Sequence, residues 1–386
     1  MWLTLIFSAT AVLFLAMSCS ALWHLRWVKR LPSLGTLAPI GGSKSPTVIR
    51  CSVVIAARDE EARIEQTIRH LFAQRGVEAE FIVVDDRSTD QTSEILRRLA
   101  KEDPRLRIER VDLLPEGWLG KCHACHLGAS VAKGEWLLFT DADCWLNPDV
   151  IARAVLLAER DRADHVTMSP SIVCENPGAR AWHLLFLTSL VNWFSGVNRD
   201  RPGAYLGLGA FNLVRASAYR ECGGYEALHL TVVDDVKLGL ILRRAGKRSR
   251  AFLGVDDVEC HWGATVTSMV KIMEKNYFAI LDFRVGLVLA GIAATLLVLA
   301  ILAAGLRSGT VTGLAAACSP LLLSLPAGIL AKRIGWSCYR AVLVPFMIPV
   351  LLYALLNSTF QALFQGGIRW RETFYSLDTL RAGNVR

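Results

Sequence analysis

Two blocks of this chain are too apolar to fold in water, and they lie toward its two ends. Residues 1–23 contain no Asp, Glu, Lys or Arg, and His24, Arg26, Lys29 and Arg30 follow at once. A membrane-spanning helix needs about 20 apolar residues, so the stretch has the length of a span. Basic residues gather on the cytoplasmic flank of a span, which predicts that the chain continues inside. No positively charged segment precedes the run, and it exceeds the about 7–15 residues of a signal-peptide core, so it reads as an uncleaved anchor. The second block, residues 285–364, divides into three expected spans at 285–306, 311–330 and 341–364.

Hydrophobic residues make up 53% of the chain, but the excess is confined to these blocks and leaves a middle of soluble composition. The expected organisation is an anchor (1–23), a linker (24–47) rich in Pro, Gly and Ser over 32–46, a cytoplasmic domain (48–282), membrane segments (283–366) and a basic, aromatic tail (367–386). The net charge of +8 is scattered or flanks the apolar blocks. There it meets anionic headgroups, not nucleic acid. The ten cysteines are scattered through apolar and soluble stretches alike, and a cytoplasmic domain keeps thiols reduced, so no disulfide framework is implied.

Within the middle, short apolar runs alternate with amphipathic stretches: 51–57, then 60–74; 81–84, then 91–101; 136–140 after a helical stretch 121–132; 163–168 after 150–159. This alternation predicts a doubly wound α/β domain with a mostly parallel sheet. Ligands in such sheets sit beyond the carboxyl ends of the strands, and acidic clusters fall there. Asp85 and Asp86 end one apolar run; Ser88, Thr89 and Asp90 behind them suit a helix cap, which leaves the two leading carboxylates free to accept bonds from a base or ribose. Asp141 and Asp143 follow another run with the alternation that points two carboxylates to one place. That geometry suits Mg²⁺ or Mn²⁺, which take oxygen ligands and bridge carboxylates to phosphates. Asp234 and Asp235 open an amphipathic stretch, where the helix dipole accounts for one carboxylate. The apolar stretch 181–194 is too short to span a bilayer and suits an interfacial or a core helix.

The order of Val53-Val54-Ile55-Ala56-Ala57-Arg58-Asp59-Glu60-Glu61, Val83-Val84-Asp85-Asp86-Arg87-Ser88-Thr89-Asp90, Gly117-Trp118-Leu119-Gly120-Lys121 and Phe139-Thr140-Asp141-Ala142-Asp143 resembles glycosyltransferase family 2. Gly207-Leu208-Gly209, Gly223-Gly224-Tyr225 and Val233-Asp234-Asp235 extend the resemblance, which covers about 48–282. It differs from the family in having Ala56 where Pro is commoner and Asp59 where Asn is commoner. The resemblance implies a GT-A-like nucleotide-sugar-binding domain. Ala57, Arg58, Glu60, Asp85, Asp86, Lys121 and Asp141 would contact the donor, Asp141 and Asp143 the metal, and Asp235 with Asp234 the catalytic centre, Asp235 as base. It implies an inverting transfer from a UDP-sugar to a lipid-like acceptor, such as a sphingolipid, carotenoid, hopanoid or isoprenoid, at a bacterial-type inner membrane by a multi-pass protein with its catalytic domain cytoplasmic. A processive polysaccharide synthase and a non-catalytic membrane scaffold are the alternatives.

Cys122-His123-Ala124-Cys125-His126 has the c-type haem spacing, but the Gly120-Lys121 start makes it the first turns of a helix. The tail Gly367-Ile368-Arg369-Trp370-Arg371 resembles the Arg-Trp motifs of membrane glycosyltransferases and synthases, so Arg369 and Trp370 are candidate diphosphate or acceptor contacts. Three spans would put this tail outside, whereas Arg369, Arg371 and Arg381 favour the inside. Pro345 and Pro349 can break the last span, and a cytoplasmic tail is expected.

Overall fold

The computed structural model describes residues 1–37 and 49–385, so the second part of the expected linker, 38–47, lies outside the described residues. The chain forms two compact units. One comprises Val28–Val173, Gly196–Trp262 and Ala382–Arg386; the other comprises Met1–Trp27, Cys174–Ser195 and Gly263–Arg381.

The first unit is built on a nine-stranded sheet: β1 (Lys29–Arg30), β2 (Arg50–Ala57), β3 (Glu78–Asp86), β4 (Leu106–Val111), β5 (Trp136–Phe139), β6 (Cys144–Leu146), β7 (His165–Ile172), β8 (Asn212–Arg215) and β9 (Ser249–Cys260). Its order is β1-β9-β7-β8-β5-β2-β3-β4, with β6 paired to β9. All main-path pairings are parallel except the two made by β8. The run Val53, Val54, Ile55 is wholly buried, as is Phe81 to Val84. Strands covered on both faces read as continuous apolar runs for this reason. Helices Ile64–Phe72, Thr92–Glu102, Gly120–Val131 and Val150–Asp161 fill the crossovers, and Ile64, Ile68, Leu71, Leu96 and Leu99 are buried at helical spacing. The mostly parallel α/β expectation therefore holds, with one antiparallel strand set into its middle.

The expected linker is shorter than its composition suggested. Lys29 and Arg30 pair in parallel with Phe252 and Leu253, and Leu31 and Leu37 are buried. A strand edge has unpaired amides for even two residues to satisfy, and composition does not reveal such a short pairing.

The second unit holds four helical stretches long and apolar enough to cross a membrane: Trp2–Trp27, Val285–Arg307, Val311–Arg333 and Cys338–Phe364. Pro345 lies in a 3₁₀ segment, Cys338–Met347, and Pro349 opens the α-helix Ile348–Phe364. Proline here changes the winding and does not end the stretch. Ser18 donates to the Leu322 carbonyl at 2.8 Å, and Arg333 to that of Leu25 at 2.6 Å. The 181–194 stretch is part of a longer helix, Pro177–Asn198. Trp182, Leu184, Leu187, Val191 and Phe194 are buried, while Trp193 is 42% exposed, so this is a core helix with one open stripe. A hairpin, β10 (Gly367–Trp370) with β11 (Thr373–Ser376), follows the last apolar helix.

Candidate active site

The carboxyl ends of β2 and β3 are laced together, because their parallel register sets Ala57 beside Asp85. The Asp59 amide donates to the Ser88 hydroxyl at 3.1 Å, the Glu60 amide to Thr92 at 2.8 Å, and the Glu61 amide to Asp90 at 3.0 Å. Asp59 has a φ of 53°, a conformation that Asp and Asn tolerate better than most residues. Its carboxylate accepts from the Thr89 amide at 2.8 Å. Ala57, Arg58 and Glu60 are thereby held alongside Asp85 and Asp86.

Asp85 and Asp86 are both buried. Asp85 accepts from the Ser88 amide at 3.1 Å and from the Ser93 hydroxyl. Asp86 accepts from Arg87 at 2.8 and 3.1 Å. Gly120 faces Asp86 so closely that a Cβ there would lie 2.3 Å from Oδ2, so glycine is what lets the carboxylate reach the start of the Gly120–Val131 helix.

On that helix, Lys121 Nζ lies 2.7 Å from Asp141 Oδ1 and 3.8 Å from Asp234 Oδ2. Burial pushes the Lys121 ammonium toward losing its proton, but Asp141, Asp234 and Asp235 outweigh it and hold the group charged. Cys122 and Cys125 point into the core, with Cys122 donating to the Thr231 carbonyl at 3.5 Å. His123 and His126 instead pack on Trp118. Burial raises both thiols' pKa, that of Cys125 to about 12. The Cys-x-x-Cys-His run is thus a structural helix.

Asp234 and Asp235 open the Asp234–Arg244 helix. Asp234 is buried and accepts from the Tyr225 hydroxyl at 3.0 Å. Asp235 accepts from the Gly209 amide at 2.7 Å and the Val236 amide at 2.8 Å. Burial, then the charge of Asp234, push its pKa up to about 6 while Lys121 opposes them. A Cβ on Gly209 would sit 2.7 Å from Asp141 Oδ2 and 3.4 Å from Asp235 Oδ2. Asp141 and Asp235 therefore converge on one glycine. The Gly209 amide and the Tyr225 hydroxyl were given no role from the sequence, although Gly207-Leu208-Gly209 and Gly223-Gly224-Tyr225 both stood out as motifs.

Asp143 is half-buried; its pKa is raised by burial and by Asp141, with Arg63 opposing. Asp141 and Asp143 offer hard oxygen donors whose mutual repulsion a divalent cation would relieve, so these residues fit Mg²⁺ or Mn²⁺. Arg369 and Trp370 belong to the other unit, on the β10–β11 hairpin. Lys275 stands 3.5 Å over the Trp370 ring, beside a cavity of about 520 Å³ lined by Glu274, Arg369, Arg371 and Phe374.

Residues 52–223 match the Glycosyl transferase family 2 profile. The 4,4'-diaponeurosporenoate glycosyltransferase of Staphylococcus haemolyticus is 29% identical over 199 residues, 50% of this chain and 51% of that protein. The beta-monoglucosyldiacylglycerol synthase of a Nostoc species is 28% identical over 211 residues, 54% of this chain and 42% of that protein. The chain spans about half the length of the curated relatives it matches, or less. Among solved structures, a mannosyltransferase from Pyrobaculum calidifontis, in complex with GDP-Man and Mn²⁺, aligns with a TM-score of 0.53 and 17% identity over 93% of this chain and 99% of that one. The chain has the GT-A-like α/β fold.

Proposed function

We propose that this chain is an inverting glycosyltransferase that moves a sugar from a UDP-sugar to a lipid-like acceptor held in a membrane. The observation that carries the reading is Asp235. It is oriented by the Gly209 and Val236 amides, shares Gly209 with Asp141, and has its pKa raised to about 6. A carboxylate with that proton affinity takes a hydroxyl proton better than an ordinary Asp does and is still largely ionised at neutral pH.

In the proposed reaction an acceptor oxygen forms a bond to the anomeric carbon from the face opposite the diphosphate. Its proton passes to Asp235, and the carbon–oxygen bond to the diphosphate breaks, the electron pair leaving with UDP. Direct displacement inverts the centre. Ala57, Arg58, Glu60, Asp85 and Asp86 would line the nucleoside, Lys121 would face its phosphates, and Asp234 would fix the charge around the base. Asp141 and Asp143 would hold Mg²⁺ or Mn²⁺, which supplies neutralising charge to a diphosphate. The solved neighbour's Mn²⁺ and GDP-Man support this donor chemistry. The acceptor class is supported by relatives whose names specify 4,4'-diaponeurosporenoate as the molecule glycosylated and monoglucosyldiacylglycerol as the molecule made, and by the four apolar stretches. His24, Arg26, Lys29 and Arg30 support a cytoplasmic transferase domain, and Arg369 and Trp370 remain proposed diphosphate or acceptor contacts.

The test incubates detergent-purified protein with UDP-sugars and extracted lipids, with and without EDTA, and reads products by mass spectrometry. Metal-dependent glycolipid is expected from the wild type and none from Asp235→Asn. Full activity in that variant would overturn the assignment of the base, and no transfer from any donor would overturn the activity.

A further inference from the structure

β6 and β9 run antiparallel with Cys144 directly opposite Cys260. Both side chains are buried, at 0% and 1% exposure. Their sulfurs lie 3.4 Å apart, and Asp143 Oδ1 is 3.7 Å from Cys144 Sγ and 3.8 Å from Cys260 Sγ. Nothing in the proposed reaction uses the two thiols, yet with the carboxylate they make a compact triangle of potential ligands.

The size of that triangle is informative. A tetrahedral zinc ion has metal–sulfur bonds of about 2.3 Å and metal–oxygen bonds of about 2.0 Å, which by geometry separates two sulfurs by about 3.8 Å and a sulfur from an oxygen by about 3.5 Å. The observed edges match these to within a few tenths of an ångström before any ligand moves. Magnesium and manganese favour carboxylate and water over thiolate, whereas zinc and cadmium take thiolates readily. Asp143, less buried than the cysteines, is the open corner, and three protein ligands leave a fourth tetrahedral position for water or a phosphate oxygen.

We propose that Asp143, Cys144 and Cys260 form a binding site for a thiophilic divalent cation of the zinc and cadmium type. Each thiol releases its proton to solvent as its metal–sulfur bond forms. Because Asp143 is also half of the hard-ion pair with Asp141, occupancy of the soft site withdraws a ligand from the donor site, so such cations inhibit. The inhibition rests on the transferase reading above; the binding does not.

Cadmium is the probe, since its thiolate complexes absorb in the ultraviolet. Chelator-stripped full-length protein in detergent is titrated with Cd²⁺ while the charge-transfer band and bound metal are measured. The Cys144→Ser/Cys260→Ser variant is expected to lose one tightly bound equivalent, and Asp143→Asn to bind it at least tenfold more weakly. Should the double variant fail to fold, Cys260→Ser alone, checked by its unfolding transition, carries the same expectation. An unchanged equivalent and band in the serine variant overturn the site, as does a Cys144–Cys260 disulfide found by mass spectrometry in the untreated protein. In transfer assays, Zn²⁺ is expected to inhibit the wild type at concentrations at least tenfold lower than Cys260→Ser; equal inhibition overturns the regulatory consequence. If no donor supports transfer, the transferase reading fails while the cadmium result still decides the site.

Discussion

The Asp85–Asp86 and Asp234–Asp235 pairs are the same dipeptide in the same sheet unit, yet their surroundings differ. Asp86 accepts from Arg87, and Asp85 accepts from two donors, the Ser88 amide and the Ser93 hydroxyl. In the second pair, one ammonium, Lys121, serves Asp141, Asp234 and Asp235 together. Asp235 accepts two backbone bonds, but burial and Asp234 still lift its pKa. Hydrogen bonds alone therefore do not set the proton affinity of a buried carboxylate. For Asp235, burial first and then the like charge of Asp234 outweigh them. The first pair accepts bonds from its neighbours, and the second, in the proposed reaction, supplies the group that takes up a proton.

Substitutions that remove only charge put this contrast at risk. Asp235→Asn is expected to cut turnover by about a hundred- to ten-thousandfold, the usual share of a general base, while calorimetry finds donor binding nearly unchanged. A comparable loss of turnover in Asp86→Asn would erase the distinction. Gly209→Ala should come next, because its Cβ would meet Asp141 Oδ2 at 2.7 Å. Displacing reacting groups by about 1 Å can cost about a hundredfold, so turnover should fall up to that amount with the fold intact by circular dichroism. Activity equal to the wild type would show that the two carboxylates do not need this close approach.

Much of this arrangement was legible in the sequence, for a physical reason. β2, β3, β5 and β7 are buried on both faces, so their apolar runs stand out, and Asp85, Asp141 and Asp143 announce themselves by following such runs. β9 does not stand out, because Arg250, Asp256, Asp257 and Glu259 interrupt it. Arg250 is buried against Asp200, and Asp257 against Arg153, so paired charges replace the apolar pattern. β8 is only four residues long and runs opposite to its neighbours, which no local pattern encodes. Cys260 was hidden for a related reason: it meets Cys144 across 116 residues of chain, through a strand register and not a motif.

The pH dependence offers a sharper test of the second pair. The Asp235 pKa lies at about 6 against an ordinary 3.8, so turnover per bound acceptor should rise with pH through about 6 and then level. Removing the neighbouring charge in Asp234→Asn should move this acid limb to lower pH, by about one unit for each ~1.4 kcal/mol of repulsion removed. The stability sign runs the other way from an ordinary ion pair. A raised carboxylate pKa means the folded state holds the proton more tightly, so Asp235 adds stability below about pH 4 that is lost as pH rises through about 6. An acid limb unmoved in Asp234→Asn would mean that burial alone raises Asp235.

The smallest expected effect lies in the first pair. Ser93→Ala deletes the hydroxyl that bonds Asp85 Oδ2, on a residue only 2% exposed. Leaving a buried acceptor short of one donor costs about 1–3 kcal/mol, which a shift in denaturation midpoint would register. Asp85 keeps its bond from the Ser88 amide, so donor affinity should weaken by less than about tenfold, the equivalent of ~1.4 kcal/mol. Turnover at saturating donor should hardly change, because no proton moves at this pair. If Ser93→Ala instead lowered saturated turnover as far as Asp235→Asn, Asp85 would have to take part in the chemical step, and the division between a binding pair and a proton-exchanging pair would be wrong.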